Sequence, residues 1–105
     1  MNKRSKATSI PISVKKAVYE RDDHHCVLCG RWAELSWACA HYIRRSQGGL
    51  GVEKNILTLC PSCHLAYDEG PDRQRLRAVL SEYLSGCYNE WSEDELRYQK
   101  WTEQP

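Results

Sequence analysis

The sequence predicts a small α+β domain, and three observations carry that prediction. Two short runs with strand character lie between stretches of helical periodicity, and two C-x2-C pairs bracket those runs. Leu, Ile, Val and Phe together make up only 19 of the 105 residues, about 18%, below the roughly 20% at which a sequence begins to look unable to build a core. A chain this short and this poor in aliphatic residues needs support beyond apolar burial, and four Trp, six Tyr and six Cys are the candidates to give it. The length fits one domain and argues against a two-domain enzyme.

Residues 1–12 are polar and basic, with Pro11 near their end, and read as a flexible arm. Ser13 then offers a cap for a helix to about Asp22, with Val14, Ala17, Val18 and Arg21 along one stripe. The run His24-His25-Cys26-Val27-Leu28-Cys29-Gly30 is too short for a regular element, and Gly30 signals a tight turn. Over residues 35–41, Leu35, Trp37, Cys39 and His41 alternate with the smaller Ser36, Ala38 and Ala40, which is strand patterning. Residues 44–51 form a loop containing three glycines, and residues 56–59 a second short strand.

Pro61 suits a first helical position, and a helix over 62–69 ends at Gly70-Pro71. A longer helix over 72–85 places Leu76, Val79, Leu80, Tyr83 and Leu84 on one face and stops at Gly86. Ser92-Glu93-Asp94-Glu95 is a capping box that opens a last short helix to about Trp101. The domain organisation expected is an arm over 1–12, a metal-stabilised domain over 13–71, and a helical appendage over 72–105 packing on that same domain.

The net charge of +1 argues against charge-driven disorder, yet it hides an asymmetry. Residues 1–54 carry ten Lys or Arg against five Asp or Glu, whereas residues 55–105 carry five against nine. A basic half suits a polyanion, although mixed charge is also what any solvated surface needs. The basic N-terminus is not followed by an apolar run and cleavage site, and no apolar stretch nears the 18 or so residues of a membrane span. A cytoplasmic, reducing location is the expectation, which favours free thiolates over disulfides.

Cys26 and Cys29, and Cys60 and Cys63, are two C-x2-C pairs with 30 residues between them. Each spacing lets two sulfurs converge on one ion, and two pairs complete the tetrahedral thiolate set that structural zinc prefers. The intervening length exceeds a simple zinc ribbon, so a folded insert lies between the halves of the site. Redox or disulfide chemistry is the other use of such cysteines. Cys39 and Cys87 fall outside the pairs and read as small buried hydrophobes, with a reactive role for Cys39 near His41 as the alternative. His24 and His25 read as exposed neighbours of a set already complete.

His41 ends the first strand, Asn55 opens the second, and His64 directly follows a zinc cysteine. With Gly48-Gly49 and Cys60-Pro61-Ser62-Cys63-His64, this order resembles the HNH endonucleases, common among small phage and bacterial nucleases. The resemblance covers about half the chain, from Val18 to Gly70. It implies a zinc-stabilised ββα-metal fold with flanking helices, and a metal-dependent DNA endonuclease. DNA is the implied partner, and phage DNA-packaging proteins an implied context.

The chemistry stands beside the family name. Phosphodiester hydrolysis needs a base to activate water, a Lewis acid, and cations to hold the backbone. An imidazole titrating near neutral pH suits the first task, so His41 is the expected general base. By the resemblance, Asn55 ties the long loop together and fixes His41 through backbone hydrogen bonds. His64 falls to a catalytic Mg²⁺, Mn²⁺ or Ni²⁺. Asp68, four residues on along the same helix face, is the second expected ligand. Arg44 and Arg45, on the loop beside the base, are expected to grip DNA phosphates.

The sequence departs from the family at one position. Many relatives carry Asp or His immediately before the base as a metal ligand, and this chain has Ala40, which cannot ligate. Either His64, Asp68, water and substrate phosphates hold the ion, or the site has lost metal affinity. The second case corresponds to a non-catalytic zinc module that binds DNA or a protein partner on the same scaffold.

Overall fold

A computed structural model of the protein describes residues 2–99. Its helices are α1 (Lys3–Thr8), α2 (Ile12–Arg21), α3 (Pro61–Glu69) and α4 (Arg73–Cys87). Its two strands are β1 (Ala40–His41) and β2 (Ile56–Leu57), and single 3-10 turns occur at Leu35–Trp37, Arg45–Gln47, Glu53–Asn55 and Glu93–Leu96. The result is a small mixed fold of helices around a two-stranded sheet. Among the described residues no helix is long and apolar enough to cross a membrane.

The first departure from the sequence reading is α1, where a flexible arm is expected. Asn2 caps it, its side-chain oxygen accepting from the Ser5 N–H at 2.7 Å. Six residues cannot hold a helix in isolation, so docking has to stabilise it. Gly51 donates its N–H to the Ala7 carbonyl at 3.0 Å. A Cβ at Gly51 would stand 1.9 Å from the Ser9 carbonyl oxygen, so only glycine allows α1 this close.

Helix α2 starts at Ile12, with Pro11 rather than Ser13 at the cap position. Val18 is buried with Ala38 and Ile56, and Ile10, Val14 and Tyr19 pack around them. At its end Arg21 pairs in bidentate fashion with the buried Asp22, Nε to Oδ1 at 2.8 Å and Nη2 to Oδ2 at 3.0 Å. Arg21 also donates to the carbonyls of Glu53 and Ile56, each at 2.8 Å. Asp22 accepts from the Thr58 N–H at 2.8 Å and the Tyr83 hydroxyl at 2.5 Å. One buried ion pair therefore staples α2 to β2 and α4, with its lone pairs and protons largely satisfied.

The sheet is shorter than the alternation predicts. Strands β1 and β2 pair antiparallel with Ala40 opposite Leu57 and His41 opposite Ile56, while Leu35–Trp37 turns instead of extending. The alternation survives, with the small residues Ala38 and Ala40 on the buried face. Ala38 and Ala40 are buried, whereas Trp37, Cys39 and His41 are partly exposed. Ala40 shares its core with the large rings of Tyr42 and Tyr67, and a small side chain is what that space admits.

Helix α3 begins as expected, with Pro61 in its first turn and Cys60 as the cap residue. Helix α4 runs through Gly86 to Cys87 rather than stopping at the glycine. Leu80 and Leu84 are buried on its inner face, and Val79, expected on that face, is 43% exposed. After α4 the Ser92 hydroxyl oxygen accepts from the Asp94 N–H at 3.3 Å, but the capped segment is the turn Glu93–Leu96, not a helix reaching Trp101. Trp101 lies outside the described residues.

The segment after α4 returns to the core. Leu96 is buried beside Leu57, Leu59, Tyr67, Leu80 and Leu84, and Trp91 stacks edge-on against Tyr42 at 5.4 Å. The Trp91 indole donates to the Lys54 carbonyl at 2.8 Å, and the backbones of Leu50 and Leu96 are joined at 2.8 Å. The loop that follows β1 is thereby held from both ends of the chain, by α1 and by residues 96–98.

Candidate active site

Four sulfurs define the first centre. Residues 23–31 turn tightly, with Asp23 and His24 at φ of 56° and 60° and Gly30 at 78°. Within this knuckle the Cys29 N–H points at the Cys26 sulfur at 3.5 Å, and the Cys63 N–H points likewise at Cys60 at 3.5 Å. All four Sγ atoms of Cys26, Cys29, Cys60 and Cys63 lie within 4.8 Å of one another, the only group of three or more Cys, His, Asp or Glu ligands that converges in this way among the described residues.

Cys29 and Cys60 are 3.8 Å apart through their sulfurs. A tetrahedron with metal–sulfur bonds of about 2.3 Å has edges of about 3.8 Å, so the four cysteines are positioned to bind one metal ion, in a set consistent with structural zinc. The Arg31 N–H pulls the Cys29 thiol down to about 7. Burial and the neighbouring sulfurs push Cys63 up. Crowded thiols cannot all ionise by themselves, and a divalent cation removes that conflict.

The second centre is a cleft of about 430 Å³ lined by His41, Arg44, Arg45, Ser46, His64, Asp68 and Glu69. His41 enters it from β1. Its Nε2–H donates to the Thr8 carbonyl at 2.9 Å; because a carbonyl only accepts, this bond assigns the proton to Nε2 and the lone pair to Nδ1. Burial holds the imidazole below the ordinary histidine range, and the Arg45 charge acts in the same direction.

His64 and Asp68 face each other along α3, Nε2 to Oδ2 at 3.2 Å. That separation is close to the about 3 Å edge of an octahedral shell with bonds of about 2.1 Å, so the pair fits two adjacent positions around one hard ion. The His64 N–H donates to the Cys60 carbonyl at 2.8 Å, which ties its place to the thiolate centre. Arg44 donates from Nη2 to the Asp68 carbonyl at 2.5 Å, fastening the loop to the end of α3.

Asn55 is fully buried and lies outside the cleft. Its Oδ1 accepts from the Ile43 N–H at 2.8 Å, and its Nδ2 donates to the carbonyls of Leu50 at 2.8 Å and Ile43 at 3.3 Å. It closes the loop between the strands without touching the imidazole. Ala40 has no exposure and belongs to the core, so its side chain does not line the cleft.

Residues 26–69 match the family described as HNH endonuclease. Anaredoxin of Nostoc sp. (strain PCC 7120) is 39% identical over 57 residues, spanning 53% of this chain and 72% of Anaredoxin. The chain belongs to the HNH endonuclease family. No solved structure matches it.

The HNH segment contains all four cysteines together with His41, Asn55, His64 and Asp68. Other parts of the surroundings come from outside it. Thr8, from α1, holds the imidazole, and Arg45 donates from Nε to the Thr8 hydroxyl and from Nη2 to the Ser9 hydroxyl, each at 3.0 Å. Arg45 thus faces α1, while Arg44 faces α3. Sequence reasoning missed Thr8, Ser46 and Glu69. Asn2 ahead of a Lys-Arg-Ser-Lys-Ala run is an N-cap signal for α1, but nothing local says where so short a helix docks.

Proposed function

We propose that this protein is a metal-dependent DNA endonuclease built on a ββα-metal arrangement of β1, β2 and α3. The observation that carries the reading is the single cleft shared by His41, His64, Asp68, Arg44 and Arg45. In this reading Cys26, Cys29, Cys60 and Cys63 bind structural zinc, which fixes the start of α3 and with it His64. His41 acts as general base, its Nδ1 taking a proton from the attacking water while Nε2 stays held by Thr8.

His64 and Asp68 would hold a divalent ion, Mg²⁺, Mn²⁺ or Ni²⁺, with water and phosphate oxygens completing its shell. When bound, that ion supplies Lewis acidity toward the scissile phosphate and the leaving 3′ oxygen. Arg44 and Arg45, already oriented by their bonds to α3 and α1, hold the backbone phosphates through N–H groups those bonds leave over. Asn55 acts at one remove, keeping the loop that carries both arginines at its fixed length and direction.

Incubation of supercoiled plasmid with the purified protein and Mg²⁺, Mn²⁺ or Ni²⁺ tests the reading. Cleavage is expected, and His41→Ala is expected to abolish it by at least about a hundredfold with zinc content unchanged. Absence of cleavage with every ion would favour a non-catalytic zinc module that binds DNA or a protein, the reading to which Ala40, contributing no ligand, lends weight.

A further inference from the structure

A groove of about 320 Å³ opens beside the cleft, lined by Arg4, Ser5, Thr8, Arg45 and Ser46. Arg45 and Ser46 line both spaces, so the groove continues the cleft toward the N-terminal helix. The chemistry changes along the way. Asp68 and Glu69 line the cleft and suit it to a cation, whereas no carboxylate lines the groove. Two guanidinium groups and three hydroxyl-bearing residues form the groove, the side chains that most often contact nucleic-acid phosphates.

The groove is also held in shape. Arg4 donates from Nη2 to the Ser46 carbonyl at 2.7 Å, and Arg45 reaches across to Thr8 and Ser9. Each guanidinium carries five N–H donors, so these bonds fix its plane and leave donors for a ligand. The α1 wall is clamped by the Gly51 N–H to Ala7 bond at 3.0 Å and by the buried Thr8. A side chain oriented before binding loses less entropy when it grips a phosphate.

We propose that this groove seats a DNA backbone phosphate adjacent along the strand to the one at the cleft, so that α1 and Arg4 extend the DNA-binding track beyond the HNH segment. This rests on the nuclease reading for the identity of the polyanion. The track runs from Arg44 through Arg45 to Arg4, and its outer end comes from the segment that sequence alone presents as a loose arm.

Binding of a fluorescein-labelled 20-base-pair duplex, measured by anisotropy across a salt series without added divalent ion, tests it. Arg4→Ala is expected to weaken binding about three- to tenfold and to lower the slope of log K against log salt by about 1. Arg4→Lys keeps the charge and is expected to keep the slope. Zinc content and far-UV circular dichroism establish that each variant is folded. Unchanged affinity and slope for Arg4→Ala overturn the proposal, as does equal weakening by Ala and Lys with the slope intact, which would mean only that α1 has loosened. Plasmid cleavage separates this from the nuclease reading. A wild type that cleaves, paired with a silent Arg4→Ala, overturns the groove alone. A wild type that binds without cleaving overturns the enzyme reading and leaves the groove to the salt slope. A wild type that does not bind DNA overturns both.

Discussion

At the scale of single residues, the burial of His41 bears on stability and, in the nuclease reading, on chemistry as well. Burial lowers its folded pKa beneath the ordinary value of 6.5. Between the two values the unfolded chain binds more protons than the folded one, so stability rises with pH there. This contribution is present above about 6.5 and is lost as pH falls through the folded value. The same depression keeps the lone pair available to water, so the acid limb of the kcat/KM profile for plasmid cleavage is expected below pH 6.5, and a limb above 6.5 would contradict this account. Asn55 gives a prediction of a different kind. Its three bonds satisfy buried backbone groups of Ile43 and Leu50, and Asn55→Ala leaves them orphaned. A loss of about 2–4 kcal/mol is expected in urea unfolding of the zinc-loaded protein, with cleavage reduced because the arginine loop loses its anchor.

Among the elements, α1 shows most clearly how local reading runs short. Its six residues have a cap and no buried stripe beyond Thr8, so nothing within them identifies the surface they cover. What identifies it is Gly51, more than 40 positions away, whose missing Cβ makes room for Ser9. Gly51→Ala is therefore expected to push α1 away from His41 without altering any residue of the cleft. Cleavage is expected to fall at least tenfold while zinc stays bound, and amide exchange in residues 3–9 to accelerate. Wild-type exchange in the variant would show that α1 tolerates the added methyl group. The strand expected over 35–41 forms only at Ala40–His41, and its burial was open for a related reason. Period-two alternation is visible in the sequence, but it does not say which face is inside. Tyr42 and Tyr67 decide that by filling the core beside Ala40.

Taken as a whole molecule, the fold depends on two kinds of cohesion. One is a compact apolar core built from Tyr42, Ile43, Leu57, Leu59, Tyr67, Leu80, Leu84 and Leu96, to which α4 and the returning C-terminal segment contribute. The other is the sulfur cluster, where Cys26 and Cys60 are themselves part of that core. Without a bound ion, four crowded thiols would stand at the core's edge. Chelation is accordingly expected to unfold the domain cooperatively, since binding of a structural zinc is worth on the order of 10 kcal/mol. Far-UV circular dichroism followed against released zinc checks this, and retention of native ellipticity after complete release would contradict it. The sequence by itself determined what short-range geometry determines: the C-x2-C pairs whose four sulfurs converge, the i, i+4 placement of His64 and Asp68, and the helices α2, α3 and α4 to within a few residues. Only the tertiary structure decided the rest. The docking of α1 on His41, the inward turn of Ala40 and the division of Arg44 and Arg45 between α3 and α1 all arise from contacts between residues far apart in the chain, which no local pattern encodes.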